Sequence, residues 1–202
     1  MITYQQFSRI VLVWVGLTIL LTSCSTAHHF NGAELDPPLT IPDFELIDTT
    51  GQPFRLSKVD ADLILVYFGY TYCPDVCPLT LWNVKQALEG LAGREHVQTI
   101  FITVDPERDT PETLAVYMPA FEADFIGLTG DQAQIQTVLH AFGATATKEE
   151  LPNSKTQYLV SHTSRLYLLT PGRKAQLTYS YGFSIDDLRA DLAHLLTTHN
   201  LN

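Results

Sequence analysis

The chain has 202 residues and is short of cysteine, of basic residues and of long apolar runs, and each shortage excludes something. Three cysteines, Cys24, Cys73 and Cys77, leave room for one pair but not for a framework of structural staples. Only 12 Lys and Arg stand against 22 Asp and Glu, for a net charge of −10. No basic patch is left to hold nucleic acid or an anionic lipid surface. The acidic balance suits cationic or metal-handling partners, and equally plain solubility. The chain has no phosphate-cradling glycine loop, no His-Glu-x-x-His zinc helix and no Ser-His-Asp spacing signature. Internal repeats and low-complexity tracts are missing too. Apolar and charged contents are ordinary, and the length suffices for one domain with a sizeable core.

The one long apolar run, Ile10 to Leu21, follows Arg9. As a helix it reaches roughly 18 Å, short of the roughly 30 Å hydrocarbon core. Residues 1–23 therefore read as a signal peptide rather than a permanent span. They end in Leu21-Thr22-Ser23-Cys24, which resembles the bacterial lipobox. The resemblance implies cleavage before Cys24 and lipid on its thiol and new amino group, enough for stable anchoring. Removing residues 1–23 takes away one positive charge and no acid, leaving about −11. The mature protein is then an extracytoplasmic, membrane-anchored lipoprotein, in a place where disulfides persist. With Cys24 consumed, its thiols are Cys73 and Cys77 alone.

Residues 24–40 read as a flexible tether, and residues 41–202 as one domain. Phe44–Ile47 and Pro53–Leu56 flank a turn and form a hairpin. Leu63–Phe68 and Val97–Val104 are buried strands. Between them, Pro78–Leu91 carries Leu81, Val84, Leu88 and Leu91 at helical spacing, with Pro78 fit to open it. Thr110-Pro111 opens a second helix, and Asp131 caps a third that Gly143 ends. Phe125–Leu128 is a short strand, and residues 144–156 are polar loop. Tyr158–Leu169 and Ala175–Tyr181 are strands joined at Thr170-Pro171-Gly172, and Ser184 caps a last helix. This alternation predicts an α/β fold of thioredoxin-like arrangement, a central mixed sheet with helices on both faces and an N-terminal hairpin extension.

Cys73 and Cys77 lie where the Leu63–Phe68 strand turns into a helix, in Tyr72-Cys73-Pro74-Asp75-Val76-Cys77-Pro78. Thiols there can bind a soft metal, close a disulfide or attack a substrate. Positions i and i+4 share a helix face, about 6 Å apart between Cα atoms, which suits both a disulfide and a shared ion. The positive end of the helix favours the thiolate. The spacing is one residue wider than the Cys-x-x-Cys of thiol-disulfide oxidoreductases and leaves room for a third ligand. Seven histidines compete for that place. His28 and His29 fall in the tether, His96 in a loop, His140 inside a helix, and His194 and His199 near the C-terminus. His162 opens a late strand, and in a thioredoxin-like sheet that segment passes beside the cysteine loop. Two thiolates and an imidazole suit Cu(I), hold Cu(II) with an added ligand, and also accept zinc with water.

The blocks Phe68–Pro78, Val104–Pro111 and Gly127–Gly130, followed by His162, resemble the Sco/SenC/PrrC family from about Pro42 to Leu196. The resemblance implies a copper-binding thioredoxin fold that helps assemble the dinuclear copper site of cytochrome c oxidase, with Cys73, Cys77 and His162 as metal ligands. The copper-bearing oxidase subunit is then the implied partner. The family usually carries Asp immediately before the histidine, where this chain has Ser161. Asp75, Asp105, Arg108 and Ser161 are the candidates for supporting the ligands or meeting the partner. Three functions compete: a copper chaperone, a thiol-disulfide oxidoreductase that reduces the target's copper-ligating cysteines through a Cys73–Cys77 redox disulfide, and a peroxiredoxin-like peroxidase.

Overall fold

The structure is a computed structural model and describes residues 28–151 and 158–199. The expected signal peptide at 1–23, Cys24 and the first tether residues lie outside the described residues. Strand β4 (Leu63–Gly69) is buried at every position. A strand apolar on both faces must be covered on both, so it takes the middle of the sheet. It runs parallel to β5 (Val97–Thr103), which runs parallel to β6 (Ile126–Thr129). Helix α1 (Val76–Leu88) links β4 to β5, and α2 (Pro111–Tyr117) links β5 to β6. Two right-handed crossovers progressing in one direction put both helices on one face. Tyr67, Phe101 and Tyr117 meet there. Helix α3 (Gln132–Ala141) covers the other face, where the Phe142 that ends it packs on Phe68 and Tyr167.

Strand β9 (Arg165–Thr170) pairs antiparallel with β4, and β10 (Lys174–Ser180) pairs antiparallel with β9. The hairpin of β2 (Glu45–Asp48) and β3 (Pro53–Arg55) joins the sheet at β6. Strand β1 (Ala33–Thr40) closes the other edge, giving the order β1-β10-β9-β4-β5-β6-β2-β3. Helix α4 (Ile185–His199) packs back on α1. The mixed sheet, the helices on both faces and the N-terminal hairpin agree with the thioredoxin-like expectation. Thr110 caps α2 with Pro111 at its start, and Asp131 and Gln134 form a capping box on α3. No described helix is long and apolar enough to cross a membrane.

Four expectations need correction. Residues 33–40 are not tether but edge strand. Their pairing with β10 shifts register between Glu34 and Leu39, around Pro37 and Pro38, which only an edge tolerates. Residues 146–150, expected as loop, form β7 (Ala146–Glu150), exposed at nearly every position and held by pairing with β8 (Tyr158–His162). The expected strand Tyr158–Leu169 is two strands, since β8 belongs to this separate two-stranded sheet and β9 to the main one. Finally, α1 begins at Val76, so Pro78 is its third residue. The first-turn amides have no partner within a helix, so proline is tolerated there.

Candidate metal centre

The site is built at the C-terminal ends of β4 and β5. Gly69 ends β4, and a Cβ on it would lie 2.7 Å from the Phe101 ring and 3.0 Å from Cys77 Sγ. Only a residue without a side chain lets Cys77 sit beneath the strand end. Buried Asp109 then anchors the loop. It accepts hydrogen bonds from the Thr71 amide at 3.0 Å, the Thr71 hydroxyl at 2.6 Å and the Thr103 hydroxyl at 2.6 Å. Cys73 N–H donates to the Tyr70 carbonyl at 3.2 Å, closing a turn that brings the first thiol back over the helix. The early start of α1 leaves the Cys77 amide unused inside the helix, and it donates to Cys73 Sγ at 3.4 Å.

His162 arrives from β8. Its ring stands nearly perpendicular to the rings of Tyr67 and Tyr70, with centroids 6.3 and 5.9 Å away. Nδ1 lies 3.3 Å from the Thr163 carbonyl, which can only accept, so Nδ1 carries the proton there. Nε2 lies 3.5 Å from Cys77 Sγ. The two sulfurs and a His162 nitrogen all lie within 4.8 Å of one another. An ion with ligands at about 2.0–2.3 Å separates them by roughly 3.4–4 Å, so small movements would close the set. Both thiols are free, Cys77 buried and Cys73 half-buried.

The thiols differ sharply. The Cys73 thiol is lowered to about 3, first by the hydrogen bond from Cys77, against burial, with His162 and the Asp75 and Cys77 amides adding to the effect. The Cys77 thiol is raised, first because it donates to Cys73 and then by burial. Cys73 is thus the thiolate and Cys77 its proton-bearing partner. Burial raises Tyr67 as well, and its buried hydroxyl has no hydrogen-bond partner among the described residues.

The other candidates fare differently. The Asp75 side chain is exposed and caps nothing, although its backbone helps to hold Cys73. Ser161 is exposed and paired with Thr147, one residue out of phase with His162. Strand alternation turns it away from the sulfurs, as it would an aspartate there. Asp105 and Arg108 meet each other and Tyr158 rather than the ligand atoms. Tyr67, Tyr70, Asp109 and Tyr158 escaped the sequence reading. Tyr158 and His162, four apart on one strand, share a face, and that spacing was the available signal. A cleft of about 520 Å³ lies away from the site, at the far end of α1, beside Lys85, Leu88 and Arg94.

Fold and site together define a class: thioredoxin-like domains with two thiols and an imidazole converging on a soft-metal position. The model of the family described as SCO1/SenC matches residues 32–197. A SCO2-like protein of Rickettsia prowazekii is 38% identical over 165 residues, covering 79% of this chain and 80% of that protein. The structure of Bradyrhizobium japonicum ScoI with copper bound superposes with a TM-score of 0.69 at 32% identity, over 77% of this chain and 98% of that one. That of a SCO1/SenC family lipoprotein from Bacillus anthracis gives 0.65 at 25% identity, over 80% of this chain and 99% of that one. The chain belongs to the SCO1/SenC family.

Proposed function

We propose that this protein is an extracytoplasmic copper chaperone, tethered to a membrane through lipid on Cys24, which passes copper to the dinuclear site of cytochrome c oxidase. The observation that carries the reading is the convergence of Cys73, Cys77 and His162 within 4.8 Å. Two thiolates and an imidazole match Cu(I), and adding a ligand serves Cu(II). The copper-bound B. japonicum relative supports the choice of metal, and the B. anthracis lipoprotein supports the anchor. Delivery would proceed by ligand exchange, with the half-buried Cys73 the sulfur an incoming ligand reaches first.

A second reading has its own observation, the asymmetry of the thiols. Cys73 thiolate would attack a target disulfide and form a mixed disulfide. Cys77 would then lose its proton and displace the target thiolate, leaving a Cys73–Cys77 disulfide and a target reduced by two electrons. The two readings part at His162. Titrating the reduced domain (residues 28–202) and its His162→Ala variant with copper, followed by absorption and EPR, separates them. The expected result is one copper per wild-type chain, with sulfur-to-copper charge transfer altered or lost in the variant. Biological activity that survives His162→Ala but not Cys73→Ser would favour the exchange reaction, and no copper uptake by wild type would defeat the chaperone reading.

A further inference from the structure

His162 is carried by an arm. Strands β7 and β8 pair with each other and not with the main sheet. A cleft of about 260 Å³ runs under the arm between Val104, Gln132, Gln136, Ala146, Lys148 and Val160. At the base of the arm Thr163 N–H donates to the Thr145 carbonyl at 2.9 Å, which extends the pairing of its two strands. At the other end it is held by side chains, and these converge on Arg108.

The Arg108 guanidinium lies 3.7 Å from the centre of the Tyr158 ring, 4.8 Å from that of Tyr72 and 5.7 Å from that of Tyr70. Its Nε donates to buried Asp105 and its Nη1 to the Tyr158 carbonyl at 3.2 Å. The Tyr158 hydroxyl donates to the other Asp105 oxygen at 2.7 Å. Lys148 on β7 adds an ion pair to Glu107 at 2.5 Å. The first residue of β8 is therefore gripped by ring, hydroxyl and carbonyl, while its last residue is the imidazole. Tyr70 sits between the two ends, with Arg108 near one side of the chain of contacts and the His162 ring 5.9 Å away at the other. Arg108 Nη2 is buried with no partner among the described residues.

We infer that Arg108 is a positioning residue: it clamps the β7–β8 arm to the Asp105–Asp109 loop and so sets how closely His162 approaches the thiols. The link to metal rests on the copper reading; the clamp itself does not. With the clamp closed the site offers three ligands. With it open the site offers two thiolates, which are enough for Cu(I) but not for Cu(II). The clamp would thus set the balance between the two copper states.

The test uses the metal-free protein first. Amide hydrogen exchange in Arg108→Met is expected to rise about tenfold or more across 146–150 and 158–163, as loss of a charge-assisted hydrogen bond implies, with β4 and β5 unchanged. Copper binding is read second. Cu(II) affinity should fall about tenfold with weakened imidazole nitrogen coupling in EPR, while Cu(I) affinity shifts less than about threefold, because the thiolates are untouched. Unchanged exchange in the folded variant overturns the clamp, whatever copper does. Faster exchange with unaltered Cu(II) binding overturns its link to His162. If wild type takes up no copper, the exchange result still decides the clamp and only the copper reading fails. Should Arg108→Met not fold, Tyr158→Phe, which loses only the hydroxyl bond to Asp105, is expected to speed exchange in the arm about threefold, and no change there would overturn the proposal.

Discussion

The chemistry of this protein is concentrated in one sulfur. Cys73 is half-buried yet held well below an ordinary thiol by the proton of Cys77, by His162 and by two amides at the head of α1. An ordinary thiol loses about tenfold in alkylation rate for each pH unit below its pKa of about 8.5. Cys73, lowered to about 3, remains thiolate through that range. Its alkylation by iodoacetamide in the metal-free protein is therefore expected to be nearly flat between pH 8 and pH 5, while Cys77 stays unmodified. Mass spectrometry of the labelled peptides checks this, and a tenfold fall per unit at Cys73 would refute the assigned asymmetry. At this scale the sequence was informative where residue chemistry is unusual. Two thiols at a strand-to-helix turn stand out, and His162 follows once the thioredoxin-like arrangement is read. The supporting residues were harder. Asp75 and Ser161 looked well placed by adjacency, but adjacency in a strand means opposite faces, and Asp75 contributes backbone rather than carboxylate. Asp109 carried no local signal, because the three hydrogen bonds it accepts come from residues up to 38 positions away.

Among the elements, β1 departs furthest from its sequence. The segment Ala33-Glu34-Leu35-Asp36-Pro37-Pro38-Leu39-Thr40 has two prolines and hardly a buried position, so no periodicity marks it. Its order comes from elsewhere. Buried Asp191 on α4 accepts from the Asn31 amide and side chain at 3.1 and 3.0 Å, from the Gly32 amide at 2.8 Å and from the Tyr179 hydroxyl on β10 at 2.8 Å. One carboxylate thus ties the N-terminal edge to β10 and the last helix. Replacing it by alanine leaves a buried tyrosine hydroxyl and a buried amide unpaired. Asp191→Ala is expected to destabilise the domain by about 3 kcal/mol, since each orphaned buried group costs about 1–3 kcal/mol. Urea unfolding measures this, and limited proteolysis should cut near Ala33 in the variant first. A loss within about 0.5 kcal/mol would mean that β1 is held by its backbone pairing with β10 alone. The same contrast explains what was legible among the other elements. β4, buried throughout, and α2 and α3, with their caps, carry their own signals. β7 has only its partner strand, and the break between β8 and β9 has no proline or glycine to mark it.

For the molecule as a whole, the decisive meeting is between residues 85 positions apart, Cys77 and His162. No local pattern encodes it. It follows from strand order, which places β9 beside β4 and so returns the chain to the cysteine loop just before β9 begins. That return was legible only through the thioredoxin-like arrangement expected from the strand-to-helix cysteine turn, whereas the existence of a mixed sheet followed from the alternation of elements. Because this meeting exists only in the folded chain, a metal that uses all three ligands must stabilise the fold. Free Cu(I) at 100 times its dissociation constant adds about 2.7 kcal/mol, less whatever the unfolded thiols bind. In a domain of this size each kcal/mol moves Tm by roughly 2–4 °C, so the reduced protein should gain about 5–10 °C on loading. Either Cys→Ser change removes a thiolate and should abolish most of the gain. His162→Ala leaves the thiolates in place and should keep part of it with Cu(I) and little with Cu(II). Calorimetry of the reduced domain (residues 28–202), with and without metal, reads all four cases. A gain of equal size in wild type and His162→Ala for both copper states would mean that the imidazole adds nothing, and the protein would then be better understood as a dithiol exchanger that meets copper only in passing.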